Sequence, residues 1–471
     1  MAAEGIYYNP GRLAGPPPIA DAAEWAAYAT RDSSARPGKP GRPLGDDGLG
    51  APEPTPAAGA GMGPADRSYH ASRLFSDWAG TLAGDWLREQ VLVQDREASL
   101  YLVRTRAAVP SALRHGPWVP AEASFVGVMA GIAVGEGEPL RLAEQVDPAL
   151  VARMVPVMKA FAYDVAPVWA VYSVNGATDG ARKLQALVEE VTASPATLRL
   201  GGDGADSVHE LWRLQPDQSA AFAGLLGDRP LVVAGGAVQV AALSALAPQH
   251  AGLPPGAGQG GPSSVLALLT AVDGAPGTGP VLLPVHRLLL AGRGLSYDFV
   301  AQRLAAYFRL LEPSAPATGP VLERLDAALE ELAGVRGEFN GFLLYGGQGR
   351  LHIVRSKGRM LMENWTHPMG GPAWRSMDVN ILHALALERA LGIPPETSRL
   401  HREPVAVEPS AERAVERVDS GEAVVAFLVP PPGPDQVLQA ALHNNPLPAD
   451  ALRPWPPVPA GLLIRRRRTG A

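Results

Sequence analysis

The residues best suited to chemistry in this chain are a neighbouring pair, His286-Arg287, which follows the apolar run Val281-Leu282-Leu283-Pro284-Val285. An arginine forks two oxygens of a phosphate or carboxylate, and a histidine donates or shuttles a proton. At the end of an apolar strand, where α/β proteins gather their ligands, the pair predicts an anion or substrate contact. The competing reading pairs Arg287 with a carboxylate and lets His286 satisfy a buried carbonyl. A second candidate is Gly235-Gly236, which follows Leu231-Val232-Val233 and opens an Ala-rich run. Free N–H groups at such a helix start could accept an anion; the plainer reading is a close strand–helix turn. Several familiar constellations are absent. His209-Glu210 is followed by Leu211-Trp212-Arg213, so no His-Glu-x-x-His metal motif forms. There is no Gly-x-Ser-x-Gly elbow and no Walker-type phosphate loop, and Gly202-Asp203-Gly204 is too short for a dinucleotide loop.

Composition bounds what can hold these residues. The chain has 471 residues, 46% hydrophobic and 19% charged, enough for two or three ordinary domains with a sizeable core. The 52 Gly and 47 Pro are close to twice the ordinary share and imply long loops. With no cysteine, disulfides, iron–sulfur clusters and thiol catalysis are excluded. A net charge of -6 argues against a protein-wide basic surface for nucleic acid. One local exception is the run Arg465–Arg468, which could touch nucleic acid or anionic lipid, or be a solvated tail. Met1–Pro18 has no apolar core of a signal peptide. The uncharged stretch Leu231–His250 is long enough to be mistaken for a membrane span, but Gly235-Gly236 and Pro248 punctuate it as a strand, a turn and a helix. The expectation is a soluble, cytoplasmic protein.

The elements that must position the candidates alternate along the chain. Trp25 and Tyr28 with flanking Ala residues predict one short helix. Ser34–Pro64 carries 7 Pro and 8 Gly and no aromatic residue, the composition of a linker. Phe75, Trp78, Leu82, Trp86 and Leu87 recur at helical spacing. Strand patterns follow at 99–103, 125–128, 168–174 and 211–214, and helical ones at 151–163, 179–191 and 217–226. The runs Val265–Val272 and Val281–Leu283 predict neighbouring strands. Helices are expected at Tyr297–Leu311 and Val321–Leu332, and Phe339–Tyr345 with Arg350–Val354 around Gly346-Gly347-Gln348-Gly349 reads as a hairpin. The helix Asp378–Leu391 is stopped by Gly392 and Pro394. A helix–strand–helix unit over 412–442 ends the series. The whole predicts an α/β (or α+β) fold with mixed sheets and interleaved helices. The expected division is an N-terminal segment 1–33, a linker 34–66, a folded region 67–464 with room for a split into two subdomains near 250–280, and an Arg-rich tail 465–471.

In order and spacing, several segments resemble the bacterial and archaeal family called domain of unknown function 1015, from about Phe75 to Ile464. Leu92-Val93-Gln94-Asp95 with Ser99-Leu100-Tyr101-Leu102 looks like its early strand pair, and Val168-Trp169-Ala170-Val171-Tyr172 like its strand ending in Tyr. His209-Glu210-Leu211-Trp212 resembles its His-x-x-Trp segment, and Pro284-Val285-His286-Arg287 its Pro-Thr-His-Arg segment. Asp378-Val379-Asn380-Ile381-Leu382-His383 resembles its late helix, and Pro448 and Gly461-Leu462 fall where its C-terminal elements end the domain. By this resemblance His209 joins Gly235 and Gly236 as a ligand-binding candidate.

The departures bear most on function. The family's hallmark, Ala-Asp-Gly-His-His-Arg at a strand end, is similar to the nucleotide turn of ParB and sulfiredoxin proteins; here it reads Val233-Ala234-Gly235-Gly236-Ala237-Val238. Its Ile-x-x-His-Glu segment becomes Leu140-Arg141-Leu142-Ala143-Glu144, leaving Glu144 as a surviving general base or a solvated surface group. The C-terminal Lys-Ser-Thr is replaced by Asp450-Ala451-Leu452. Phosphoryl transfer rests on positioning and charge, so losing Arg, His and Lys together predicts a catalytically impaired relative that acts as a binding or regulatory module. The runner-up is an enzyme on a phosphorylated or nucleotide ligand that uses Glu144, His286 and Arg287. A third reading is a nucleic-acid-associated protein through the arginine run. No cofactor and no metal is implied. The expected partner is a small phosphorylated ligand, with neither nucleic acid nor membrane called for.

Overall fold

The computed structural model describes residues 5–8, 20–21, 87–88, 90, 92–134, 140–160, 163–174, 179–201, 207–227, 229–246, 264–274, 279–292, 294–314, 318–357, 370–394 and 404–467. The helices expected around Trp25 and from Phe75 to Trp86, and the linker 34–66, lie outside these residues.

Two sheets dominate. The first has eight strands in the order Leu140–Leu142, Leu231–Gly235, Val168–Tyr172, Ser264–Ala271, Glu122–Ala133, Tyr101–Ala108, Ser207–Arg213 and Leu198–Leu200. Its pairs are of both senses: Leu231–Gly235 runs parallel to Leu140–Leu142 and antiparallel to Val168–Tyr172. The second has six strands in the order Phe308–Leu311, Leu351–Ser356, Gly341–Tyr345, Ala423–Leu428, His286–Leu290 and Val405–Glu408, with every pair antiparallel. The expected mixed α/β architecture is what the chain adopts.

Strand periodicity decides where each side chain goes, because successive residues point to opposite faces. On the first sheet Trp169, Val171, Val232, Ala234, Leu266 and Leu268 face inward, into a core shared with Leu289, Phe342, Leu344, Val425 and Phe427 of the second sheet. The alternate residues Val168, Ala170, Tyr172, Leu231, Val233 and Ala267 face outward, where they meet Met154, Leu187, Phe222 and Leu243 of four covering helices. On the second sheet Leu288, Leu343, Tyr345, Ala426 and Leu428 meet the helices Val321–Gly334 and Ala411–Asp419 on the outer side. The strands are apolar on both faces because both faces are covered, each buried Leu or Val contributing about 1.5–3 kcal/mol. The Asp378–Ile381 helix continues into π-helical turns over Leu382–Ala390 and fills the space between the sheets with Ile381, Leu382, Leu385 and Ala386.

Several local expectations need correction. Val281–Leu283 pairs with Arg453–Trp455 and not with the strand Ser264–Ala271. The helix from Tyr297 ends at Leu304, and Phe308–Leu311 becomes an edge strand of the second sheet. The N-terminal segment is not separate from the fold: Gly5–Tyr8 is an inner strand of a four-stranded sheet with Leu92–Gln94, Ile464–Arg466 and Tyr163–Asp164.

Two arginines of the run, Arg465 and Arg467, are buried in the fold. Arg465 lies in the strand Ile464–Arg466 and donates to Asp164 Oδ2 from Nε (3.0 Å) and Nη2 (2.6 Å). Arg467 Nε lies 3.1 Å from Asp164 Oδ1, and both arginines are 8% exposed. A fork held by a buried carboxylate is unavailable to a polyanion, so the nucleic-acid reading loses two of its four arginines. No helix among the described residues is long and apolar enough to cross a membrane, and the described part of that uncharged stretch is the expected strand and helix, Leu231–Gly235 and Ala237–Leu246.

Candidate functional site

Glu144 and Gly235 stand at the carboxyl ends of two adjacent parallel strands. Leu142 lies opposite Val233, and the Ala143 N–H donates to Val233 O at 2.9 Å. A C-terminal segment closes over this end. Leu447 bridges Glu144: its N–H donates to Ala143 O at 2.7 Å, and its carbonyl accepts from Gln145 N–H at 2.8 Å. The same segment then turns through Asp450, whose φ of 51° is a left-handed conformation that Asp tolerates. The turn aims two amides at the acid: Ala451 and Leu452 N–H donate to Glu144 Oε1 at 2.6 and 2.8 Å. Asp450-Ala451-Leu452, standing where the resemblance places Lys-Ser-Thr, thus meets Glu144 directly.

Arg287 comes to the same place from the other sheet. It points inward like Leu289 and is fully buried. All three of its nitrogens have acceptors. Nε donates to His383 Nε2 at 3.0 Å. Nη1 donates to Val285 O at 2.8 Å and His286 O at 3.3 Å. Nη2 makes longer bonds to Ala449 O and Asp450 O, at 3.5 and 3.4 Å. Because its Nε2 accepts, His383 carries its proton on Nδ1 and is neutral. His383 sits in the π-helical stretch, one turn from Asn380, whose Nδ2 donates to Trp374 O at 2.8 Å while its buried Oδ1 has no partner among the described residues.

Burial sets the ionisation of this cluster. It pushes the Glu144 carboxyl up to about 8, with exposed Asp450 adding to the rise; the two amides and Arg287 pull the other way. Glu144 keeps part of its surface accessible, so it is an acid that titrates near neutrality within reach of water. Burial brings Arg287 down to about 10, opposed by Asp450 and Glu144, so it stays charged at pH 7.

The remaining sequence candidates are not part of this cluster. His286 precedes Arg287 in the strand and so points to the opposite face, where its Nδ1 accepts from Val429 N–H at 3.1 Å. Burial first, then His115 and Arg287, lowers it to about 3, so it is neutral. His209 lies on Ser207–Arg213, five strands from Leu231–Gly235, with Nδ1 3.1 Å from Thr105 Oγ1. Burial lowers it to about 4. The structure therefore joins Glu144 to Arg287, sets Gly235 beside Glu144, and turns His286 and His209 away. Among the described residues no group of three or more His, Asp or Glu is placed to hold a metal ion.

The glycine bend itself is tight and apolar. Gly236 has φ 80°, and a Cβ there would sit 2.8 Å from Val168 Cγ1 and 2.5 Å from Gln239 Oε1. Gly236→Ala is expected to cost about 1–3 kcal/mol through backbone strain and crowding. Urea denaturation beside Gly224→Ala checks this, because a Cβ at Gly224 meets nothing within 4 Å. A wild-type midpoint for Gly236→Ala would show that the bend is loose. Gln239, 6% exposed, lines a cavity of about 10 Å³ with Asp164, Arg467, Tyr163 and Met158, a space for one water.

Sequence reasoning missed His383 and Asp450. His383 stood inside a quoted segment but had no spacing partner in the chain, and Asp450 was visible only as a replaced lysine. Comparison with known proteins adds three findings. No curated protein matches the chain. Among solved structures it is similar to a free serine kinase in complex with AMP and to two mutants of that kinase. These share 12, 10 and 11% identity, each with a TM-score of 0.35, covering 72% of this chain and 92% of theirs. A sequence profile described as Protein of unknown function (DUF1015) matches residues 77–380, more than half of the chain and the span that carries Glu144, the glycine bend and Arg287, and the chain accordingly belongs to that family.

Proposed function

We propose that the protein is a catalytically impaired member of its family that acts as a binding or regulatory module, with a small phosphorylated ligand as its class of partner. One observation carries this reading: every nitrogen of the Arg287 guanidinium already donates to an acceptor within the protein. A guanidinium so held cannot fork a phosphate without breaking internal bonds. The glycine bend supports the same reading, since Val168, Trp169 and Gln239 crowd it in place of acid, histidine and arginine. What the bend retains for an anion is the first turn of the helix Ala237–Leu246, where the Ala237 and Val238 amides have no acceptor within the helix and the buried Gln239 side chain stands beside them.

A second reading, an enzyme on a phosphorylated or nucleotide ligand, is favoured by one feature: Glu144 titrates near neutrality, as a general acid or base does. Calorimetric titration with inorganic phosphate, AMP and a sugar phosphate, run beside a phosphate-release assay with nucleoside di- and triphosphates, separates the two. The module reading expects saturable binding of one of these ligands without turnover. Turnover that disappears in Glu144→Gln, while the variant keeps its fold, would replace it with the enzyme. Absence of any binding would remove both.

A further inference from the structure

The strand Gly5–Tyr8 is held by the fold as a peptide ligand would be. It inserts between Leu92–Gln94 and Ile464–Arg466, antiparallel to both, with Ile6 opposite Gln94 on one side and Ile464 on the other. Gly5 N–H donates to Tyr101 Oη at 3.0 Å, and Asp95 N–H donates to Gly5 O at 3.0 Å. Tyr101 Oη donates to Asp95 Oδ2 at 2.5 Å, and Tyr7 Oη donates to Asp95 Oδ1 at 3.3 Å. Ile6 is 1% exposed, and the Tyr7 ring packs edge-on against Tyr101, 6.3 Å between centroids. A Cβ on Gly5 would lie 2.3 Å from Tyr101 Oη, so the first position admits only glycine. These are the parts of a strand-addition site: main-chain bonds supply affinity, and pockets for alternate side chains supply selectivity.

The occupant is joined to its slot by a long tether. Ala20–Asp21 pairs with Pro459–Ala460 and would travel with it. From there to Leu92 the chain has a reach on the order of 200 Å when extended, and it contains the stretch Ser34–Pro64 with 7 Pro and 8 Gly. An emptied slot would present two unpaired strand edges and the apolar surface of Leu92, Tyr101 and Ile464, a combination that recruits another strand. The segment whose chemistry fits is another Gly-Ile-Tyr-Tyr.

We propose that this slot is a strand-exchange site whose trans occupant is Gly5–Tyr8 of a second copy of the chain, so that two copies join by trading N-terminal strands. Reciprocal exchange rebuilds the same ladder in each copy, so the balance is set by protein concentration against the effective concentration that the tether imposes.

The chain has no cysteine, which makes a covalent test clean. Tyr8 lies opposite Leu92, so the full-length double variant Tyr8→Cys with Leu92→Cys can be equilibrated at rising concentrations, oxidised and run on a non-reducing gel. Exchange predicts covalent dimers that rise from a few per cent at roughly 10 µM to about half near 1 mM, the scale of a tethered effective concentration. Adding Gly5→Ala should cut the yield of all cross-links about tenfold, because the strand no longer seats. Cross-linked monomer alone at every concentration would make the strand an integral part of one chain and overturn the proposal. So would dimers that persist undiminished with Gly5→Ala, since they would arise from another contact. If the first pair disturbs folding, Tyr7→Cys with Val93→Cys reads the same strand.

Discussion

Arg287→Ala is expected to remove about 3–5 kcal/mol of stability, the loss typical when one partner of a buried charged cluster is deleted. Three losses combine. His383 Nε2 loses the only donor that reaches it from Arg287. The carbonyls of Val285, His286, Ala449 and Asp450 lose theirs. Glu144 loses the positive neighbour that opposes its rise in pKa. Arg287→Lys recovers little, since an ammonium offers three donors and no planar fork to reach acceptors on several sides; a loss of about 2–3 kcal/mol is expected for it. Urea unfolding at pH 7 measures both. The direction separates structural from ligand-binding roles. A residue kept for a ligand is held against the grain of folding, and its removal is often neutral or stabilising. If Arg287→Ala unfolds within about 1 kcal/mol of wild type, the guanidinium is not a lock between the sheets and the module reading loses its main support.

How far this site could be read from the chain follows from what each residue depends on. The strand Leu231–Gly235 and the helix after it were legible because a buried apolar run, two glycines and an Ala-rich segment are local signals. The hairpin Gly341–Tyr345 with Leu351–Ser356 was legible for the same reason. The pairing of Val281–Leu283 was not, since its partner Arg453–Trp455 lies far along the chain and nothing local selects it. Treating His286 and Arg287 as one unit ignored the two-residue period of a strand, which sends them to opposite faces. The arginine run failed differently. Charge suggested solvent, but Asp164, an unremarked residue in sequence, supplies a buried carboxylate that draws Arg465 and Arg467 inward. Glu144 and Arg287 could be nominated from resemblance, but their meeting through Ala449–Leu452 depends on a C-terminal segment crossing to the first sheet, which only the three-dimensional path reveals.

Glu144 should also make stability fall as the solution becomes alkaline, against the behaviour of most carboxylates. Its folded pKa of about 8 lies above the ordinary 4.5, so between those values the folded state holds a proton that the unfolded state has released. Stability then decreases with rising pH throughout that interval. Other buried groups act in the same range but lower down. Asp378, raised to about 6 by burial, loses stability in the same direction but is ionised by pH 7. His209 and His286, lowered to about 4 and about 3, act oppositely: the unfolded chain releases their protons around its ordinary 6.5, so they add stability as pH rises to about 7.5 and little beyond it. From pH 7.5 to 8.5 Glu144 alone of these four is still titrating, and the expected fall is about 0.7 kcal/mol. Glu144→Gln keeps an oxygen for the Ala451 and Leu452 amides and carries no charge at any pH, so its stability should be flat across the same window and should exceed that of wild type at pH 8. Urea melts at half-unit steps of pH decide the matter. Parallel curves for wild type and Glu144→Gln would mean that the carboxyl is solvated, with an ordinary pKa, and would remove the near-neutral titration on which the enzyme reading depends.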